Sequence, residues 1–226
     1  MMSHVSSLLF AALAMFLAIA HTAQANESDG SECINVVATE PACDPEKYQW
    51  YLDDMVENPD GFSENDPNYI ARLGDRGRFS MIVGDWAAGI TDLDVVIASD
   101  PDNYYYYQWR GWAHLVLNNL QQAQADFSRV IRLHATNALG YLGRCRVKQA
   151  KKDWNMALVD CQQSLQIHNA TAQAADSRLT MGQIFEAKGL PDLARHSYQG
   201  AIAEAPDHEA AQAALAALDA AADKSE

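Results

Sequence analysis

Apolar and polar positions along this chain of 226 residues change character twice. Ser7 to Ala20, "SLLFAALAMFLAIA", is an apolar run without charge. Residues 26–69 are rich in acidic and turn-forming side chains, interrupted by one aromatic stretch, "DPEKYQWYLDDMVENPD". From residue 70 onward the pattern copies itself. Arg76-Gly77, Arg110-Gly111 and Arg144-Cys145 are spaced 34 residues apart, and Asp92, Asp126 and Asp160 follow at the same interval. Leu93, Phe127 and Cys161 come next in each copy, after small residues at Gly89, Ala123 and Ala157. A fourth copy, shifted by three residues, carries Gly182, Phe185, Gly189, Ala194, Tyr198, Ala201 and Pro206. Pro101 closes the first copy as Pro206 closes the last. A fixed period of this length marks units that bury their apolar faces only by stacking on neighbours.

The order of these residues resembles the tetratricopeptide repeat (TPR) family: aromatic, Leu-Gly, aromatic, small residue, aromatic and proline at set intervals. The copies cover 70–103, 104–137, 138–171 and 175–208. The fourth matches best; the third departs most, with Cys145 for the glycine, Lys148 for the aromatic and Asn169 for the proline. The resemblance implies an all-α chain, a right-handed superhelix (an α-solenoid) of antiparallel helix pairs. Gly77, Gly111 and Gly182 would let the first helix of a copy approach the second closely. Trp86, Leu120 and Trp154 recur at the start of the second helices and are expected between neighbouring copies. The Ala- and Leu-rich tail, residues 209–226, reads as a capping helix and tail, with Asp207 as its cap.

Three copies hold both the arginine and the aspartate, whereas the fourth has Met181 and Ser197 in their places. A joint loss points to a joint role, so Arg76, Arg110 and Arg144 are expected to pair with Asp92, Asp126 and Asp160. Such pairs fix the register of two helices more than they add stability. Catalysis would hardly need three equivalent pairs.

Charge divides the chain. Residues 26–69 carry twelve Asp and Glu against Lys47 alone, a balance of −11, while residues 70–226 carry eighteen acids against fifteen bases, −3. The sum is the formal −14 of the whole chain. An acidic arm before a nearly balanced body disfavours nucleic acid and anionic lipid as partners. The apolar run has the length of a signal peptide, is short for a membrane span, and precedes the small-x-small pair Ala23 and Ala25. Residues 1–25 are therefore expected to be removed, leaving a mature chain from Asn26 in the periplasm or outside the cell, with no membrane insertion.

Export permits disulfides. Cys33 and Cys43 are ten residues apart, in a loop with Pro41 and Pro45, and are expected to be bonded. Cys145 and Cys161 fall on facing helices of the third copy and are either a second bridge or two small core residues. Core packing is the preferred reading, because a helix-to-helix bridge needs close Cα approach. "ENPDGFSENDPN" fails as a calcium loop, since a loop glycine at Gly61 would put Val56 and Pro67 at ligand positions. No histidine set has metal-ligand spacing, and no phosphate loop, nucleophile elbow or paired-carboxylate motif occurs. Neither an enzyme nor a cofactor is expected.

In the TPR family the first helices line a groove that takes peptides. The matching positions here imply a binding surface of Arg78, Tyr105, Trp109, Trp112, Leu115 and Arg146. Arg78, Trp112 and Arg146 are 34 residues apart in turn and would form one row, with an arginine on each side in cation–π contact with the indole. The alternatives are that Trp112 only fills space between neighbouring first helices, or that the acidic arm covers it. The Lys and Asn set of the family's carboxylate clamp is missing, so a chaperone C-terminus is not the implied ligand. The expected function is a periplasmic scaffold that binds a protein or peptide. The alternatives are an assembly or chaperone-like subunit of one envelope complex, and an enzyme with its site in the arm.

Overall fold

The computed structural model describes residues 49, 52, 53, 68–167 and 172–222. The apolar leader, the Cys33 and Cys43 pair and most of the acidic arm lie outside the described residues. From residue 68 onward the described residues form nine helices and no strand. The chain divides into two compact units, one holding residues 68–167 and the other residues 172–222.

In the first unit six helices follow as three antiparallel pairs: α1 (Tyr69–Ile82) with α2 (Trp86–Ser99), α3 (Tyr104–Val116) with α4 (Leu120–Leu133), and α5 (Ala138–Ala150) with α6 (Trp154–Ile167). The turn inside each pair uses one device. Gly84, Asn118 and Lys152 sit 34 residues apart, and all have left-handed backbone, with φ of 94°, 59° and 62°. The next amide in each turn reaches back to the helix: Asp85 N–H donates to Ser80 O, Asn119 to His114 O and Asp153 to Lys148 O. This is the glycine-type C-terminal stop, in which a left-handed residue satisfies the last carbonyls. Lys152 is the strained case, because its Cβ crowds the backbone there. Helix starts repeat as well, since Asn103 and Asn137 accept from the Tyr105 and Gly140 amides.

The helix pairs are locked by close contact and charge. A methyl group at Gly77 would sit 3.1 Å from the Gly89 carbonyl oxygen and 3.2 Å from Leu93, and one at Gly111 would sit 3.1 Å from the Phe127 ring. Beside each lock lies the expected ion pair. Arg76 Nε and Nη2 reach Asp92 at 2.7 and 2.6 Å. Arg110 reaches Asp126 at 2.9 and 2.7 Å, and Arg144 reaches Asp160 at 2.8 and 2.7 Å. All three aspartates are buried. Hydrogen bonding to Asp92 and Asp160 raises the pKa of Arg76 and Arg144 above the ordinary value. For Arg110, burial acts most strongly and opposes the charge. Its two carboxylates, Asp126 and Asp94, together outweigh that and raise its pKa. The Asp94 contact, at 2.6 Å, also ties the second copy to the first.

The third pair corrects one expectation. Cys145 and Cys161 are bonded to each other, with Cα atoms 5.4 Å apart. The approach that the bridge requires exists because α5 and α6 cross at the point where the other copies place a glycine. Lys148, which replaces an aromatic, points its ammonium at the same buried Asp160, 2.6 Å away.

The second unit contains α7 (Ala172–Ala187), α8 (Pro191–Glu204) and α9 (Glu209–Ala222). At 16 residues α7 exceeds the 13 or 14 of the other first helices, and it starts three residues ahead of the copy's aligned start at 175. The shift seen in the sequence is thus an added N-terminal turn. Gly189, with φ of 71°, makes the same left-handed stop. Without the Arg–Asp pair, α7 and α8 are joined otherwise: Arg178 to Glu204 at 2.7 Å, and the Tyr198 hydroxyl donating to Glu186 at 2.8 Å. Ser197, in the aspartate's place, donates to the Leu193 carbonyl oxygen. Helix α9 covers this pair through Ala211 and Leu218. Its start differs from the expectation: His208, not Asp207, makes the cap, its Nδ1 accepting from the Ala211 amide at 3.2 Å.

Candidate functional site

The implied binding residues lie on the first helices α1, α3 and α5 of the first unit, where α3 adjoins both others. Four consecutive tyrosines open α3, and each has a different neighbour. Tyr104 stacks on His134, with ring centroids 4.7 Å apart. The Tyr105 hydroxyl accepts from Arg78 Nη1 at 2.7 Å, and the Arg78 guanidinium lies 5.5 Å from the Tyr105 ring centre. Tyr106 backs onto Gly74, where a methyl group would lie 2.8 Å from its ring. Tyr107 lies under two guanidinium groups, those of Arg110 and Arg129, at 5.5 and 5.7 Å.

The six residues fall into two classes. Arg78, Tyr105, Leu115 and Arg146 are half-buried and can be reached from solvent. Trp109 and Trp112, at 1% and 2% exposure, are core. The expectation that both indoles line an open surface is corrected here. Trp112 meets the Phe127 ring edge-on at 5.0 Å, inside the second copy's glycine–aromatic lock. Trp109 is met edge-on by Tyr105 at 6.5 Å.

The row of arginines around Trp112 forms on one side only. The Arg146 guanidinium lies 5.5 Å from the Trp112 ring centre, which reproduces the expected cation–π contact. Arg78 instead sits between Phe79 and Tyr105, each 5.5 Å away, with Asp75 at 3.6 Å. Each guanidinium therefore lies over an aromatic face, an arrangement worth about 0.5–2 kcal/mol depending on desolvation. Three donors in this region, the Arg78 Nε–H and the Trp109 and Trp112 indole N–H groups, are buried without a hydrogen-bond partner. Each costs about 1–3 kcal/mol while unmatched. All three are enclosed by the packing of the helices, so they do not select a ligand.

Gln108 is implied as a groove position by the family resemblance, but two contacts in this region were missed in the sequence. Gln108 is buried and its carboxamide oxygen accepts from Asn137 at 3.0 Å, which ties α3 to the start of α5. Asn103 and Asn137, spaced like every other repeated pair, were the available signal. His114 is the other. Burial lowers its pKa most, Arg110 lowers it further, and Asp126 and Asp94 oppose them. Its place four residues after Arg110 matches that of Lys148 after Arg144, but only the structure shows how differently the two are used. Among the described residues no three His, Cys, Asp or Glu gather as a metal site, and no helix is long and apolar enough to cross a membrane.

No protein-family model matches the sequence, and no curated protein matches it. Solved structures do. A thermophilic TPR protein of Thermus thermophilus is 19% identical, with a TM-score of 0.61 over 76% of this chain and 91% of its own. MamA is 20% identical, with a TM-score of 0.60 over 70% of this chain and 91% of its own. YrrB, described as a TPR protein with an unusual peptide-binding site, is 15% identical, with a TM-score of 0.60 over 84% and 93%. With these neighbours, the paired helices and the locks at a 34-residue period, the chain has the fold of the tetratricopeptide repeat proteins.

Proposed function

We infer that this protein is a binding module that holds a protein or peptide partner against α1, α3 and α5, without catalysing a reaction. One observation carries the reading: Arg78 and Arg146, 5.5 Å from the Tyr105 and Trp112 ring centres, frame a half-buried surface on the first helices. Arginine over aromatic side chains is the composition that dominates binding energy at protein interfaces. The peptide-binding site named for YrrB lends support at the level of the fold.

The work of the module belongs in an exported, oxidising compartment, the periplasm if the cell is bacterial. Two features support that placement: the leader ending at Ala25, and a cystine bridging the third copy. The intact mass of the exported protein tests it, with a chain starting at Asn26 expected and one retaining Met1 contrary.

The binding reading is tested by capture from an envelope fraction with three baits: the native chain, Arg78→Glu/Arg146→Glu, and Val159→Glu. Val159 is 55% exposed on the second helix α6, away from the candidate residues. A partner held by the native chain and the Val159 variant, but weakened at least about tenfold by the arginine changes, is the expected result; each 1.4 kcal/mol is a factor of ten. Equal capture by all three baits would move the site off the first helices.

A further inference from the structure

In three copies one contact closes the helix pair: a glycine on the first helix and a large side chain 16 residues later on the second, Gly77 with Leu93, Gly111 with Phe127 and Gly182 with Tyr198. Cys145 and Cys161 hold those same two positions in the third copy, also 16 apart. Cys145 brings a Cβ and a sulfur to a place where the other copies keep a glycine, at which even a methyl group would press on the second helix. Two thiols in non-bonded contact stand much farther apart than two bonded sulfurs. Reduced, the pair would wedge α5 from α6; bonded, it fits.

We propose that Cys145 and Cys161 form an oxidative modification site that completes the third repeat, the bond doing the work of the glycine–large-residue contact. The chain is then a substrate for thiol–disulfide exchange. Its two thiols release two protons and two electrons to the disulfide of an exchange partner, which leaves as two thiols. Both cysteines are fully buried in the folded unit, at 0% exposure. The exchange partner therefore engages a thiol before α5 and α6 close, and reductant reaches the finished bond only after they open. Neighbouring contacts depend on the same closure: Arg144 and Lys148 both hold Asp160, and the Ser164 hydroxyl donates to the Ala138 carbonyl oxygen at 3.0 Å. The inference concerns folding and is independent of the binding reading.

The test uses the full chain carrying Cys33→Ser and Cys43→Ser, so that one cysteine pair remains. Three proteins are melted with and without dithiothreitol: this parent, Cys145→Ser/Cys161→Ser, and Cys145→Gly/Cys161→Leu, which installs the first copy's residues. The parent is expected to resist dithiothreitol while native. Once reduced in denaturant and refolded, it should melt about 6–12 °C lower, from the loss of a cross-link closing a loop of this size in a chain of this length. The Gly/Leu variant should melt above the reduced parent, because it removes the wedge although it restores no cross-link, and should ignore dithiothreitol, even if the Ser/Ser variant fails to fold. A reduced, refolded parent melting with the oxidised one would overturn the proposal. So would a Gly/Leu variant no more stable than the reduced parent.

Discussion

The second and third copies of the first unit share one helix-pair plan and fill it with different chemistry. In the second, Phe127 sits on Gly111, Trp112 meets the ring edge-on, and Asp126 serves Arg110 alone on its own pair. In the third, a cystine replaces ring and glycine, Arg146 stands where Trp112 would be, and Asp160 serves both Arg144 and Lys148. The two are linked, for Arg146 of the third lies over Trp112 of the second. What both copies keep is a close contact between the two helices and a buried carboxylate; the groups that make the contact differ.

The comparison is broken most severely at the ring. Phe127→Ala should cost about 3–5 kcal/mol, the usual range for a buried aromatic. Its ring packs on Gly111 and against Gly143 of α5, so the damage should spread into the third copy. Denaturant unfolding, with hydrogen exchange to locate the damage, reads both effects.

Asp160→Asn comes next. It leaves Arg144 and Lys148 without their shared carboxylate, whereas Asp126→Asn leaves Arg110 its second partner, Asp94. Removing one side of a buried pair costs about 3–5 kcal/mol, and these partly exposed cations place the third copy at the lower end. The expected order of losses in denaturant midpoint is Asp160→Asn, then Asp126→Asn; equal losses would show that Lys148 and Asp94 contribute nothing.

A smaller and opposite effect is expected at the turns. Lys152→Gly relieves left-handed backbone at a non-glycine residue and should stabilise by about 0.5–1 kcal/mol. Asn118→Gly should gain less, because asparagine tolerates that conformation better. Thermal melts of the two single variants rank them.

The smallest effect is a pH dependence confined to the second copy. His114 has its pKa lowered in the folded chain, mainly by burial. Its neutral form is favoured by folding, so its contribution is intact above the unfolded pKa of about 6.5. That contribution fades as the pH falls toward the lowered folded value, and below it the loss is complete. His114→Gln should flatten this part of the stability profile between about pH 7.5 and 5, a window that spans the unfolded value.

How much of this was legible in the residues varies with the kind of fact. The period, the helix pairs and the Arg–Asp bridges could be read because three copies repeat them and the fourth loses both partners together. The left-handed stop could have been found the same way. Gly84, Asn118 and Lys152 are equally spaced, but a lysine there disguises the turn. The cystine was misjudged because spacing in sequence does not reveal how close two helices run, and the glycines of the other copies held that information. The candidate site was legible as a set of positions but not as a surface. Trp109 and Trp112 occupy positions that face a groove in the family, yet here they are buried, and their burial follows from packing against Phe127 and Tyr105. The arm's expected bridge between Cys33 and Cys43 lies outside the described residues.

The central claim is a division of labour across one contact: Trp112 holds the fold and Arg146, lying over it, meets the partner. Thermal stability and partner affinity measured side by side for Trp112→Ala and Arg146→Ala test it directly. The account predicts a loss of about 3–5 kcal/mol of stability for the tryptophan change. For the arginine change it predicts nearly unaltered melting, with affinity weakened at least about tenfold, or 1.4 kcal/mol. Weakened binding with unchanged melting for Trp112→Ala, together with lost stability and full binding for Arg146→Ala, would contradict it.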